Sequence, residues 1–154
     1  MLLAIDPGPV QSAWVLMGGY RPVGFGIEDN EEVRRLSVDG VHPDEVVIEM
    51  IASYGMAVGA EVFETCVWIG RFTEIFMNDI EGREIPTAHL YRKDVKMNLC
   101  HSMKANDSNI RQALIDRFGV VGTKIAPGHF YGFKKDIWAA YAVGVTYLDL
   151  RKEL

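Results

Sequence analysis

The sequence predicts an α/β fold in which three antiparallel strands and then parallel strands form one five-stranded mixed sheet flanked by helices. Three short apolar segments separated by turn residues fill the first 27 positions, which is typical of an antiparallel meander. Beyond them, strand-like runs alternate with segments of helical spacing, which is typical of parallel strands joined by helices. The chain has 154 residues, 49% of them hydrophobic, so we expect a single domain over 1–154.

The first strand is predicted over 2–5, an uninterrupted apolar run that ends at Asp6 and the turn residues Pro-Gly-Pro. A second apolar run covers 12–17, and the glycine pair at 18–19 predicts a hairpin turn. In 23–27, apolar residues alternate with proline and glycine as in a third strand. These segments give the meander, with a carboxylate at the tip of its first strand.

Helices and two further strands are predicted in the rest of the chain. Apolar residues at spacings of three and four indicate one long helix, with a core face of Val62, Cys66, Ile69, Phe72 and Phe76. In order, we expect a short helix over 29–36, a strand over 46–49 that ends in Glu49, the long helix over 58–77, a strand over 85–91, a basic helix over 92–99, a helix capped by Asp107 or Ser108 that stops at Gly119, and a last helix from about Asp136, with Trp138, Tyr141, Val145 and Leu148 in the core.

The charge is divided unevenly along the chain. The net charge is −5, which by itself disfavours a nucleic-acid partner. However, residues 1–86 contain 5 basic and 15 acidic side chains, whereas residues 87–154 contain 11 basic and 6 acidic ones. Such polarity allows one basic face on an acidic protein, although a chance distribution over helix surfaces would look the same.

The sequence contains no apolar stretch long enough to span a membrane and no leader-like start. The two cysteines, Cys66 and Cys100, have no CxxC spacing, and the four histidines form no zinc-type cluster. We therefore expect a cytoplasmic protein with reduced cysteines, without membrane or zinc.

Two apolar strands that each end in a carboxylate are the strongest chemical feature. Neighbouring strands lie about 4.8 Å apart, so Asp6 and Glu49 would converge at one end of the sheet. Like charges that close repel unless a cation lies between them, and hard oxygen ligands select Mg²⁺ or Mn²⁺. A third acid is expected nearby, and Asp136 is the best candidate. Each acid also has a purely structural interpretation: Asp6 as a turn former, Glu49 as a solvated strand end and Asp136 as a helix cap.

Several segments resemble the RuvC family of Holliday junction resolvases. Residues 3–8 (LAIDPG) are similar to the family's first strand and turn, and 47–49 (VIE) to its apolar strand ending in glutamate. Residues 135–142 (KDIWAAYA) resemble the helix that donates the family's last acidic ligands. The basic segments 91–96 and 104–108 resemble the region that precedes and begins a family helix.

The resemblance implies an RNase H-like fold and a metal-dependent endonuclease that cleaves Holliday junctions or other branched DNA. It implies a homodimer, because two strands are cut symmetrically. It also assigns roles: Asp6, Glu49 and Asp136 as catalytic ligands of Mg²⁺, with Mn²⁺ as the alternative, and Arg92, Lys93, Lys96 and Lys104 as contacts to the DNA backbone.

Residues 48–56, 60–66 and 109–114 are similar to short RuvC-like proteins of bacteriophages, which would place the protein in the host cell cytoplasm. The chain departs from the family at two positions. Ala139 stands where a second acid is usual, and Asp107 is a candidate substitute that helix capping explains at least as well. Ala52 stands where an aromatic wedge is usual, and Tyr54 is its nearest replacement on the DNA-binding surface.

Two other functions fit parts of the pattern. A catalytically idle module of the same fold would bind junctions without cleaving them, and metal-dependent nicking separates it from an enzyme. An actin-fold phosphotransferase also opens with a strand and an Asp-x-Gly turn. That fold needs two such domains, and 154 residues leave no room for them.

Overall fold

A computed structural model of the chain describes residues 1–36, 40–78 and 82–152. Its five strands are β1 (Leu2–Asp6), β2 (Gln11–Gly18), β3 (Arg21–Asp29), β4 (Glu45–Met50) and β5 (Thr87–Tyr91). Its helices are α1 (Asn30–Arg34), α2 (Ala60–Met77), α3 (Arg92–Cys100), α4 (Asp107–Phe118) and α5 (Ile137–Lys152). None of the helices in this described part is both long and apolar enough to cross a bilayer.

The strands form one sheet in the order β3-β2-β1-β4-β5. Strands β1, β2 and β3 pair antiparallel, whereas β4 and β5 run parallel to β1. Gly19 turns the first hairpin with a φ of 58°, a left-handed conformation that suits glycine. The predicted fold class is confirmed, including the change from antiparallel to parallel pairing.

Each face of the sheet is covered by its own helices, and the alternation of side chains along a strand decides which face a residue serves. Leu2, Ala4 and Val47 pack in the cluster that α5 dominates. Leu3 and Ile5 pack in the opposite cluster, beneath α2. Asp6 continues the series of Leu2 and Ala4, and Glu49 follows Val47 two residues on. Both carboxylates therefore belong to the α5 face.

Helix α5 lies against the middle of the sheet and is buried on almost every side. A Cβ atom at Gly144 would lie 2.3 Å from the Met17 sulfur, so this glycine permits the close approach. The predicted core positions Trp138, Tyr141, Val145 and Leu148 are all buried.

Helix α2 corrects the prediction for its first turns. Ile69, Phe72 and Phe76 are buried as expected, but Val62 and Cys66 are only half-buried. Thr65 takes the core place instead, and its hydroxyl donates to the Glu61 carbonyl at 2.8 Å. Cys66 lies about 100° further round the helix than Thr65, at the edge of the buried face.

Two predicted boundaries also differ. Strand β5 begins at Thr87, because the Ile85 amide donates to the Phe76 carbonyl at 3.0 Å and not to the sheet. The cap of α4 is Asn106, and neither Asp107 nor Ser108. The Asn106 side chain accepts from the Asn109 amide at 2.9 Å, and the Asn109 side chain accepts from the Asn106 amide at 3.0 Å.

Candidate active site

Asp6 and Glu49 lie side by side at the ends of two parallel strands. Ile5 of β1 pairs with Ile48 of β4, so the next residue on each strand is the carboxylate. The two carboxyl groups are close enough for their charges to interact. The predicted convergence of these two strand ends is present in the structure.

Burial controls the ionisation of this pair. It raises the pKa of Asp6 well above the usual value, and the charges of Glu49 and Asp136 raise it further. Burial also raises the pKa of Glu49, whose side chain is 13% exposed. Arg92 lowers the pKa of both groups. Two carboxyl groups this close favour a positive charge between them.

The turn that carries Asp6 is fixed by a buried polar network. The Gly8 amide donates to Ser12 Oγ at 3.1 Å, the Ser12 hydroxyl donates to Asn30 Oδ1 at 2.5 Å, and Asn30 Nδ2 donates to the Gly8 carbonyl at 2.9 Å. Ser12 and Asn30 are 2% and 1% exposed. A Cβ atom at Gly8 would lie 2.3 Å from the Gln11 carbonyl oxygen, so only glycine fits. The network holds the end of β1 in one conformation.

Asp136 lies just before α5, is exposed, and acts electrostatically on both Asp6 and Glu49. Lys135, next to it, has a φ of 47°, a conformation that non-glycine residues rarely adopt. Within the described residues, no three Asp, Glu, His or Cys side chains are already grouped so that they could hold a metal ion. Asp6 and Glu49 therefore form the closely spaced pair, and in the described part of the chain Asp136 lies near it without completing a group of three ligands.

Arg92 begins α3 directly after β5, at the same edge of the sheet as the two carboxylates. Its Nη1 atom is 3.9 Å from Glu49 Oε1, and its Nη2 atom pairs with Asp107 Oδ1. The sequence predicted a DNA contact here, and the structure places the guanidinium in the carboxylate cluster. A small pocket of 60 Å³ adjoins it, lined by Arg92, Asp107, Ile110, Arg111, Lys135, Asp136, Trp138 and Ala139.

The other predicted DNA contacts lie outside this pocket. Lys93 is exposed, with its ammonium 5.7 Å from the Tyr91 ring centre, and Lys96 is half-buried on α3. Lys104 is exposed between α3 and α4 and lines a separate 510 Å³ pocket. Tyr54 is 63% exposed in the loop after β4, with a φ of 51°.

Sequence reasoning missed four residues of the site region. Ser12 and Asn30 hold the turn, and nothing in their local sequence distinguishes them from surface polar residues. Arg111 lies 4.5 Å over the Trp138 ring and lines the small pocket together with Lys135. The lysine pair directly before Asp136 was a visible basic feature that could have suggested Lys135.

No protein-family model matches this chain, and no curated protein matches it. A structure of Thermus thermophilus RuvC in complex with a Holliday junction substrate is similar, with a TM-score of 0.70 at 15% identity over 99% of this chain and 95% of that chain. A second Thermus thermophilus RuvC structure is similar with a TM-score of 0.68 at 16% identity, over 99% of this chain and 96% of that chain.

At such low identity a likeness is evidence of shared architecture. It extends over nearly the whole length of both chains, and it includes the mixed sheet with its antiparallel and parallel halves. The chain therefore shares the RNase H-like fold of the two Thermus thermophilus RuvC structures.

Proposed function

We propose that this protein is a divalent-metal-dependent endonuclease that cleaves phosphodiesters in branched DNA such as four-way junctions. The observation that carries the proposal is the largely buried pair of Asp6 and Glu49, whose charges interact at the ends of neighbouring parallel strands. The same fold occurs in the RuvC structure with a Holliday junction substrate. Because one fold can serve many functions, the argument rests on the site.

The donor set fits Mg²⁺ or Mn²⁺. Asp6 and Glu49 supply hard oxygen ligands, their mutual repulsion favours a cation between them, and Asp136 adds negative charge nearby. When bound, the ion supplies an activated water and stabilises the charge that develops on the phosphate. The three acids are the proposed catalytic residues, and Asp6 and Glu49 form the core of the centre.

Basic side chains around the pair would bind the DNA backbone. Arg92, Arg111 and Lys135 surround the small pocket beside Asp136 and can neutralise phosphate charge close to the scissile bond. Lys93 and Lys96 on α3, and Lys104 after it, extend the positive surface. Tyr54, exposed five residues after Glu49, offers a ring on which an unpaired base at the branch can stack.

A homodimer is part of the proposal, because two strands of a junction are cut symmetrically. The outer face of α2 supports it: Phe63 is 64% exposed, Val67 54% and Met77 45%. Gly70 lies on the same face, with open space where a Cβ would be. In an antiparallel pair of α2 helices, Phe63 of each copy would pack over Gly70 of the other. Phe63→Glu should give a monomer in sedimentation experiments, and Glu61→Gln provides a control on the same helix.

The deciding experiment is cleavage of four-way, flap and linear DNA in Mg²⁺ and in Mn²⁺. Wild-type protein should cut branched DNA only with the metal, and Asp6→Asn should not cut it. If wild type binds junctions as tightly as Asp6→Asn but cuts none of them in either metal, the protein is a binding module and the enzyme proposal is wrong. The proposal includes a cytoplasmic location, which for a phage-encoded protein is the cytoplasm of the host cell.

A further inference from the structure

Arg92 joins a buried carboxylate to an exposed one. Its Nη1 atom lies 3.9 Å from Glu49 Oε1, whereas its Nη2 atom contacts Asp107 Oδ1 directly. The Glu49 side chain is 13% exposed, that of Arg92 29% and that of Asp107 86%. Asp107 therefore holds the guanidinium from the solvent side, closer to itself than to Glu49.

The charge of Arg92 has two opposite effects at the centre. It favours the ionised forms of Asp6 and Glu49, which are the forms that bind a cation. It also repels any second cation that approaches the same carboxylates. The negative charge of Asp107 offsets that repulsion, and its ion pair restrains the guanidinium.

Helix capping does not account for Asp107. The amino end of α4 is already closed by the reciprocal hydrogen bonds of Asn106 and Asn109, at 2.9 and 3.0 Å. Asp107 projects from the first turn toward Arg92, and both residues line the small pocket beside Asp136. Its side chain is thus directed at the site by a charged partner.

We propose that Asp107 is a positioning residue of the metal centre, which acts by holding Arg92 back from Asp6 and Glu49 so that a divalent cation can bind them. This inference rests on the proposed metal-dependent function. Without Asp107, the guanidinium is free to pair fully with Glu49 and competes with the ion. The effect of Asp107 on metal affinity must therefore pass through Arg92.

The test is a double-mutant cycle on the full chain, read by Mn²⁺ binding. The electron paramagnetic resonance signal of free Mn²⁺ is titrated against metal-free wild type, Asp107→Asn, Arg92→Gln and the double variant. Asp107→Asn should weaken Mn²⁺ binding by about fivefold to tenfold, because a full positive charge then opposes the ion. Arg92→Gln should tighten it, and the double variant should match Arg92→Gln to within about twofold.

Two further variants keep the cycle interpretable. Asp116→Asn removes the same charge from α4, where Asp116 accepts a hydrogen bond from Gln112 at 2.8 Å, and it should leave Mn²⁺ binding unchanged. If Arg92→Gln does not fold, Arg92→Lys replaces it. Lysine keeps the charge but lacks the planar fork through which Arg92 reaches Glu49 and Asp107 with two different nitrogens, so the cost of Asp107→Asn should shrink in that background.

Each outcome decides the question. A loss of affinity in Asp107→Asn that disappears without the arginine supports the positioning role. A loss that persists in the Arg92→Gln background would show that Asp107 is itself a metal ligand, and no loss at all would show that it has no part in the centre. Both results overturn the positioning role while leaving the proposed function intact. Wild type that binds no Mn²⁺ overturns the metal centre and the role of Asp107 together.

Discussion

Arg117 donates to Asp149 through both of its terminal nitrogens, at 2.7 and 2.8 Å, and thereby ties α4 to α5. Burial alone would raise the pKa of Asp149, but hydrogen bonds from Arg117, Asn98 and Tyr20 outweigh it and lower the pKa to about 2. A carboxylate whose pKa is depressed by folding stabilises the protein above its unfolded pKa. That contribution is lost as the pH falls through the folded value.

Asp149→Asn should therefore reduce the free energy of unfolding at pH 7 by about 1–2 kcal/mol. The effect is this small because Arg117 is partly exposed, so solvent weakens its attraction to Asp149. The difference from wild type should shrink between about pH 4 and pH 2, in urea unfolding curves measured at each pH. Asp116→Asn serves as the control of equal charge. A constant difference down to pH 2 would contradict the ion-pair explanation.

Asp6 should show the opposite pH dependence. Its pKa is raised by folding, so its contribution to stability is present below the unfolded pKa and is lost as the pH rises through the folded value. Metal-free wild type should lose stability as the pH rises above the usual carboxyl pKa, and Asp6→Asn should be more stable than wild type at pH 8. Added Mn²⁺ should restore the stability of wild type and should not raise that of Asp6→Asn. Thermal unfolding in chelator and in Mn²⁺ measures all three effects, and a less stable Asp6→Asn at pH 8 would refute them.

Asp6→Asn should also separate binding from chemistry. Junction affinity should be unchanged or higher, because removing a negative charge beside a phosphate relieves repulsion. Electrophoretic mobility shifts in Ca²⁺ measure the affinity, with cleavage in Mg²⁺ as the second readout. Parallel loss of binding and cleavage would mean that Asp6 supports the fold and not the reaction.

The turn network predicts a large cost for Asn30→Ala. This change leaves Ser12 Oγ and the Gly8 carbonyl without their buried partner, which should cost about 2–3 kcal/mol in urea unfolding. Asn78→Ala, an exposed change, should cost far less. Equal costs for the two variants would show that the network does not stabilise the turn.

Neutralising Lys96 or Lys104 should weaken DNA binding and flatten its salt dependence. Each lysine that contacts a phosphate contributes about 0.9 to the slope of log affinity against log salt. Lys124→Gln, an exposed change in the loop after α4, is the control. An unchanged slope in both variants would assign these lysines to ordinary solvated surface.

The sequence was sufficient for the pairing of Asp6 with Glu49, because apolar strands reveal their ends and parallel ends meet at one edge. It was not sufficient for the ion pairs that Arg92 makes with Glu49 and Asp107. A basic residue at a helix start looks the same whether or not a carboxylate lies 3.9 Å away on another strand. Thr65 was missed for a related reason, since its hydroxyl is satisfied within its own helix and hydropathy ranks it below Cys66.

Strand β1 is the centre of the sheet, with β2 on one side and β4 on the other, so its amides should be among the slowest to exchange with deuterium. Asp6 and Glu49 therefore lie on the part of the protein that opens last. Asp136 and Tyr54 lie in loops, and left-handed backbone occurs at Lys135 and at Tyr54 itself. One half of the proposed site should thus open only on global unfolding, whereas the other half lies in loops, which can adjust to the DNA that we propose as substrate.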